Sequence, residues 1–190
     1  MDHIKYLLAA NEVARKARQN GNTPFGAVLV DENGNIVMEQ GNAEKDLHDA
    51  TAHAERMLAS RASQAFSKEF LWKCTLYTTF EPCCMCTGAI YWANIGRIVY
   101  GVTEEKLLEM TGSDEKNPTF NISCRTILAA GQKKIEVLGP FPEIAPAVEE
   151  VHKGFWNKKG RCFGAITATK AVRATRATRA AKAARAANYN

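Results

Sequence analysis

Apolar residues recur at helical spacing from Ile4 to Arg18, at Ile4, Leu7, Leu8, Val13, Ala14 and Ala17. Gly21 supplies a stop, so the first element is predicted to be an amphipathic helix. The run Phe25–Val30 is strand-like, Asp31 to Asn35 carry turn chemistry, and Ile36–Glu39 return as a second strand, which predicts a hairpin. Gly41 to Asp49 are polar and fit a loop. A helical pattern resumes at Thr51 and lasts to about Ala65, with Asp49 or Thr51 suited to the N-cap. Cys74–Thr79 form a short strand. Pro82 then opens a helix through Cys86, Ala89, Ile90 and Trp92, and Arg97–Gly101 form another strand. A short helix over Glu104–Met110 gives way to a Gly/Asp/Asn/Pro loop, Gly112–Pro118. A helix over Asn121–Ala130 is closed by Gly131. Ile135–Leu138 are a strand and Glu143–Trp156 a last helix.

Strands alternating with helices point to an α/β fold, a three-layer α/β/α sandwich. The hairpin makes its central sheet, of about five strands, mixed rather than fully parallel. No internal repeat is visible.

The last stretch breaks the pattern. From Gly164 to Asn190 the charged residues are Lys170, Arg173, Arg176, Arg179, Lys182 and Arg185, with no acid among them. The formal charge of +5 therefore sits in this tail; upstream, 19 basic residues face 20 acidic ones. A basic residue at every third position drifts around a helix of about 3.6 residues per turn, and apolar side chains larger than Ala are too few to build a core. Residues 1–163 are expected to form the folded domain and 164–190 a flexible basic appendage. The near-neutral body argues against a protein that grips nucleic acid over a whole face. No apolar run approaches the roughly 20 residues of a membrane span. The N-terminus lacks a basic start, a long apolar stretch and a cleavage site, so a cytoplasmic location is expected.

Six cysteines occur, three of them within four positions: Cys83, Cys84 and Cys86. Neighbours so close rarely pair, which favours metal binding or catalysis over a disulfide framework. Cys74, Cys124 and Cys162 fit buried small hydrophobes. His53-Ala54-Glu55 is followed 27 residues after the glutamate by Pro82-Cys83-Cys84-Met85-Cys86. His53, Cys83 and Cys86 offer one nitrogen and two sulfurs, which suits Zn2+ with an open fourth position. Cys83 and Cys86 are three apart and share a helix face, while Cys84 points elsewhere, although it could stand in for a neighbour. Both cysteines are placed in a first helical turn, where the macrodipole favours the thiolate. Glu55 lies about 200° around an ideal helix from His53, so both reach one pocket only at an irregular helix entrance. A carboxylate beside activated water can take its proton and pass it to a leaving amine.

H-x-E with P-C-x-x-C is the pattern of zinc-dependent base deaminases. The chain resembles the cytidine deaminase-like superfamily, in the branch of guanine, fungal-type cytosine and tRNA adenosine deaminases. The resemblance runs from about Ile4 to Trp156 and is strongest over Pro24–Val30, Thr51–Glu55, Leu76–Ala93 and Arg97–Gly101. It implies hydrolytic replacement of an exocyclic amine on a nucleobase or nucleoside. One Zn2+ would be held per chain by His53, Cys83 and Cys86, with Glu55 as proton carrier. It further implies substrate contacts from Asn42, Phe25, Ala54, Trp92 and Asp114. Guanine is favoured by Pro24-Phe25-Gly26 and Tyr91-Trp92-Ala93, with cytosine open. Each of these residues keeps a plainer alternative: a loop asparagine at 42, core packing for the two rings, loop charge for Asp114 or Glu115. Asp49-Ala50 replaces the family's usual Asp-Pro, and Asn121–Trp156 match the guanine enzymes poorly. The family's C-terminal pocket aromatic therefore cannot be transferred to Phe155, Trp156 or Phe163. A homodimer is expected by resemblance. A tRNA adenosine deaminase, with the basic tail on phosphates, and a zinc-binding protein without activity are the alternatives.

Overall fold

A computed structural model describes residues 2–111 and 119–156, all within one compact unit, Met1–Trp156. The expected loop over Gly112–Pro118, the boundary at residue 163 and the basic tail lie outside the described residues.

Five strands form one sheet in the order β2-β1-β3-β4-β5: β1 (Gly26–Val30), β2 (Ile36–Gly41), β3 (Thr75–Phe80), β4 (Arg97–Val102) and β5 (Glu136–Leu138). β1 is antiparallel to both β2 and β3, whereas β3–β4 and β4–β5 are parallel. The sheet is therefore mixed, as the hairpin implied. Side-chain alternation splits the core into two layers. Ala27, Leu29, Leu76 and Ile98 face one cluster with Leu58, Ala62 and Ile90; Val28, Val30, Tyr77 and Val99 face the other, with Leu7, Val13 and Val148.

The first layer carries α3 (Ala54–Ala65) and α5 (Cys84–Ala93), and the second carries α1 (His3–Gln19) and α8 (Ala145–His152). The helix α1 lies almost on the sheet backbone. A Cβ at Gly26 would come 2.4 Å from both the Ala10 carbonyl oxygen and the Ala14 nitrogen, so only glycine fits there. Short helices α2 (Glu44–Leu47), α4 (Lys68–Lys73), α6 (Glu104–Thr111) and α7 (Cys124–Ala129) complete the set. No helix among the described residues is long and apolar enough to cross a membrane.

The structure corrects the sequence-based expectations at several ends. The polar loop after the hairpin contains α2. α4 follows Ser67, whose hydroxyl accepts from the Phe70 N–H as N-cap. α7 starts at Cys124 because Ser123 caps it. The last helix is split into a 3-10 turn, Pro142–Ile144, and α8, which ends at His152. Neither Asp49 nor Thr51 caps α3; the N-cap is His53, and Asp49 instead accepts from the Thr51 N–H and hydroxyl in the preceding turn.

His152 anchors the end of α8 against the sheet. It is 2% exposed, its Nδ1 accepts from the Trp156 indole N–H at 3.1 Å, and its ring meets Phe80 and Phe25 edge-on. Burial pushes its pKa down to about 4. Unfolding frees it to take a proton below its ordinary value near 6.5. Its contribution to stability is therefore complete above about pH 6.5 and is lost as pH falls toward 4, by up to about 3 kcal/mol. Chemical denaturation at pH 7, 5.5 and 4.5 should show this loss, and His152→Gln should flatten it.

Candidate active site and metal centre

Two helix starts meet at the carboxyl end of β3. His53 is the N-cap of α3 and Cys83 the N-cap of α5, and both have extended backbone conformations. Neither side chain caps its own helix. Pro82 thus precedes the cap instead of opening the helix, and Cys83 stands just outside the first turn where the sequence placed it. Cys86 occupies the third helical position. N-cap and third-position side chains face each other across a helix entrance, as in a capping box. This brings the two sulfurs together without any distortion of α5.

His53 Nδ1 lies 3.7 Å from Cys83 Sγ and 3.7 Å from Cys86 Sγ, and all three donor atoms lie within 4.8 Å of one another. Zn–S bonds of about 2.3 Å and Zn–N bonds of about 2.0 Å at tetrahedral angles put nitrogen and sulfur about 3.5 Å apart. The donor set and its spacing fit that ion. Cys84 is not part of the cluster. No disulfide links Cys74, Cys83, Cys84, Cys86 and Cys124, and Cys74 and Cys124 are buried.

The electrostatics follow from this crowding. The hydrogen bond from Cys86 holds Cys83 down to about 4, against burial and with help from His53. Cys86 moves the other way, well above the usual thiol range, through its bond to Cys83 and its burial. Burial opposes protonation of His53, but Cys83 and Glu44 overcome it and raise the ring to about 10. Binding of a cation between these three groups therefore competes with the protons of His53 and Cys86.

Glu55, the second residue of α3, turns into the same space. Its Oε1 accepts from the Thr78 hydroxyl at 2.7 Å, and its Oε2 lies 3.6 Å from Cys86 Sγ. Burial holds its carboxyl above the usual range, with Thr78 pulling the other way. A carboxyl placed beside a metal site can both take and give a proton.

Glu44 was not singled out from the sequence. Its Oε1 sits 3.5 Å from His53 Nε2, the ring nitrogen turned away from the sulfurs. The Thr23 hydroxyl donates to its Oε2 at 3.0 Å. Carboxylates on the far nitrogen of a ligating histidine fix its tautomer and orientation. Glu44 stands nine positions before His53 on a separate short helix, and no local motif announces such a contact. Glu81 was likewise missed. It is buried, and it accepts from the Ser123 hydroxyl at 2.7 Å, the Cys124 N–H at 2.9 Å and the Glu104 N–H at 3.3 Å. One side chain thereby ties the turn before Cys83 to the starts of α6 and α7.

The other expected substrate contacts are spread out. Asn42 is buried; its Oδ1 accepts from the Glu44 N–H at 3.1 Å and its own N–H donates to the Phe25 carbonyl at 3.0 Å. The half-buried Phe25 ring packs edge-on against Phe80 and His152 and lies 6.1 Å from Trp156. Ala54 is fully buried in the core layer of α3. Trp92 is 78% exposed on α5, with its ring on Tyr91. Asp114, Glu115, Cys162 and Phe163 lie outside the described residues.

The donor set and the fold together define a metal-assisted hydrolase of the α/β class. The sequence model of the "Cytidine and deoxycytidylate deaminase zinc-binding region" matches residues 1–102. A probable cytosine deaminase of Schizosaccharomyces pombe is 41% identical over 154 residues, covering 81% of this chain and 92% of that protein. The tRNA-specific adenosine deaminase of Agrobacterium fabrum is 42% identical over 93 residues, covering 49% of this chain and 60% of that protein. The solved guanine deaminase of Bacillus subtilis superposes with a TM-score of 0.52 at 28% identity, covering 85% of this chain and all of that one. The chain belongs to the zinc-binding deaminase family of cytidine deaminase-like proteins.

Cys83→Ala or Cys86→Ala should abolish stoichiometric zinc in the purified protein, and Cys84→Ala should retain it. Glu44→Gln should keep the fold but weaken zinc affinity by about 10- to 100-fold in competition with a chromogenic chelator.

Proposed function

We propose that this chain hydrolytically deaminates an aminated nucleobase or nucleoside, releasing ammonia and leaving the oxo base. The observation that carries the reading is the buried Glu55 carboxyl within 3.6 Å of Cys86 Sγ, beside the His53/Cys83/Cys86 cluster. Zinc, when bound there, supplies a Lewis acid that makes water a nucleophile at neutral pH. Glu55 takes the proton of the attacking water and places it on a ring nitrogen; it then takes the proton of the new C–OH group and delivers it to the amine, so that ammonia leaves as the carbonyl forms. Thr78 holds one carboxyl oxygen in place, so the other is free to exchange protons. The core excludes bulk water from this carboxyl, which holds its pKa above the usual carboxylate range.

Similarity along 92% of a probable cytosine deaminase supports a free base of that kind, and the likeness to guanine deaminase keeps the guanine preference of Phe25 and Trp92 within the same class. Similarity to the tRNA enzyme covers only 60% of its length, which supports the RNA reading less. A cytoplasmic homodimer, zinc held by His53, Cys83 and Cys86, and substrate contacts from Asn42, Phe25, Ala54, Trp92 and Asp114 belong to the same proposal.

Glu55→Gln should retain zinc and the fold yet lose at least about 100-fold in ammonia release. An ammonia-release panel over cytosine, guanine, adenine, their nucleosides and tRNA should show a free base turned over best. Retained turnover in Glu55→Gln, or zinc-loaded protein inactive on every member, contradicts the proposal.

A further inference from the structure

Glu104 is a buried acid beside the site whose carboxyl has been given no role so far. It is 5% exposed, the first residue of α6, directly beyond the carboxyl end of β4. Parallel β3 and β4 end side by side here, with Phe80 paired to Val102. β3 leads through Glu81 and Pro82 into Cys83, and β4 leads through Thr103 into Glu104. In open α/β sheets the carboxyl ends of parallel strands are where ligands sit. Glu81 locks the two exits together, since its N–H donates to the Val102 carbonyl at 2.7 Å and its Oε2 accepts from the Glu104 N–H at 3.3 Å.

The Glu104 carboxyl itself has no hydrogen-bond or ion-pair partner among the described residues. This contrasts with the other buried acids: Glu55 is held by Thr78, and Glu81 by Ser123 and Cys124. Burial raises the Glu104 pKa to about 8, and Cys83, Glu55 and Glu81 push in the same direction. The carboxyl therefore feels the charges of the reaction centre, which the neighbouring exit of β3 carries. With Glu104 only 5% exposed, its carboxyl is poorly hydrated, and a donor that pairs with it restores part of what that burial costs.

We propose that Glu104 is a substrate-contacting residue whose carboxyl accepts a hydrogen bond from an N–H of the bound heterocycle, so that the site selects bases carrying a donor on that edge. The inference rests on the deaminase reading and names the recognition group it lacks. Aminated heterocycles offer such donors as ring N–H groups. The ring N–H that a sugar replaces in a nucleoside is one of them, so this contact discriminates a free base from its nucleoside. A site built to pair a substrate N–H rejects the analogue without it far more strongly than an apolar pocket rejects an extra methyl group.

The test is steady-state kinetics of native protein, Glu104→Gln and Glu104→Leu on the best base of the panel, its nucleoside and its ring-N-methylated derivative. Zinc content and melting temperature are measured on each. Glu104→Leu is expected to raise KM for the free base about tenfold or more with zinc retained, and Glu104→Gln to fall between it and the native protein. The preference for the free base over the two blocked forms should shrink in both variants. Unchanged KM, or a KM that moves without any change in that preference, overturns the inference while leaving the deaminase reading intact. Should Glu104→Leu fail to fold, the change of preference in Glu104→Gln decides. A native protein inactive on the whole panel sinks the deaminase reading, and the inference with it.

Discussion

The site rests on two helix N-termini, those of α3 and α5, brought together at their N-cap residues. Helix starts leave backbone N–H groups unpaired and carry partial positive charge. Ordinarily a Ser, Thr, Asp or Asn side chain folds back to cap each one. At α3 and α5 the N-cap residues are His53 and Cys83, and neither caps its helix. Two positive ends brought together this way need negative charge between them. Cys83, held as thiolate, supplies it, and a cation bound by two sulfurs keeps the thiolate charge in place. The same arrangement that spoils two helix caps thereby frees three donor atoms to converge.

The rest of the fold makes that convergence stiff. Leu58, Ala59 and Ala62 on α3, and Ile90 and Ala93 on α5, are buried in one layer against Leu29, Leu76 and Ile98 of the sheet. Thr78 lies on the same sheet face as Leu76, so it reaches Glu55. Glu44 reaches His53 from α2, whose position follows from Asn22 and Asn42 accepting backbone N–H groups at its start. Glu81 binds the exits of β3 and β4 to α7. Each reacting group is thus held by a residue on a different element, which limits its freedom before any ligand arrives.

Much of this was legible in the sequence because it is local. The strand-like run Phe25–Val30 and helical spacing from Ile4 to Ala17 gave β1 and α1. The three-residue separation of Cys83 and Cys86, with Pro82 ahead, gave the sulfur pair. Glu55 beside His53 required a helix entrance, and α3 begins one residue after His53. What the sequence did not disclose is tertiary. Glu44, Thr78 and Glu81 matter only through contacts across 9 to 43 positions, and none carries a motif. α2 and α4 are one or two turns long, too short for a periodic signal. The cap of α3 was misplaced because Asp49 and Thr51 have cap chemistry, yet they spend it on the turn ahead. No motif marks Glu104, the first residue of a short helix; its burial sets it apart.

The central claim is that one nitrogen and two thiolates share a single divalent ion. Replacing the bound metal by Co2+ and recording the electronic spectrum tests it most directly. One imidazole and two thiolates on a tetrahedral ion predict one cobalt per chain, with intense visible d–d bands and near-ultraviolet sulfur-to-metal charge transfer appropriate to two thiolates. A protein that takes up no stoichiometric metal, or a cobalt spectrum without thiolate charge transfer, would contradict it.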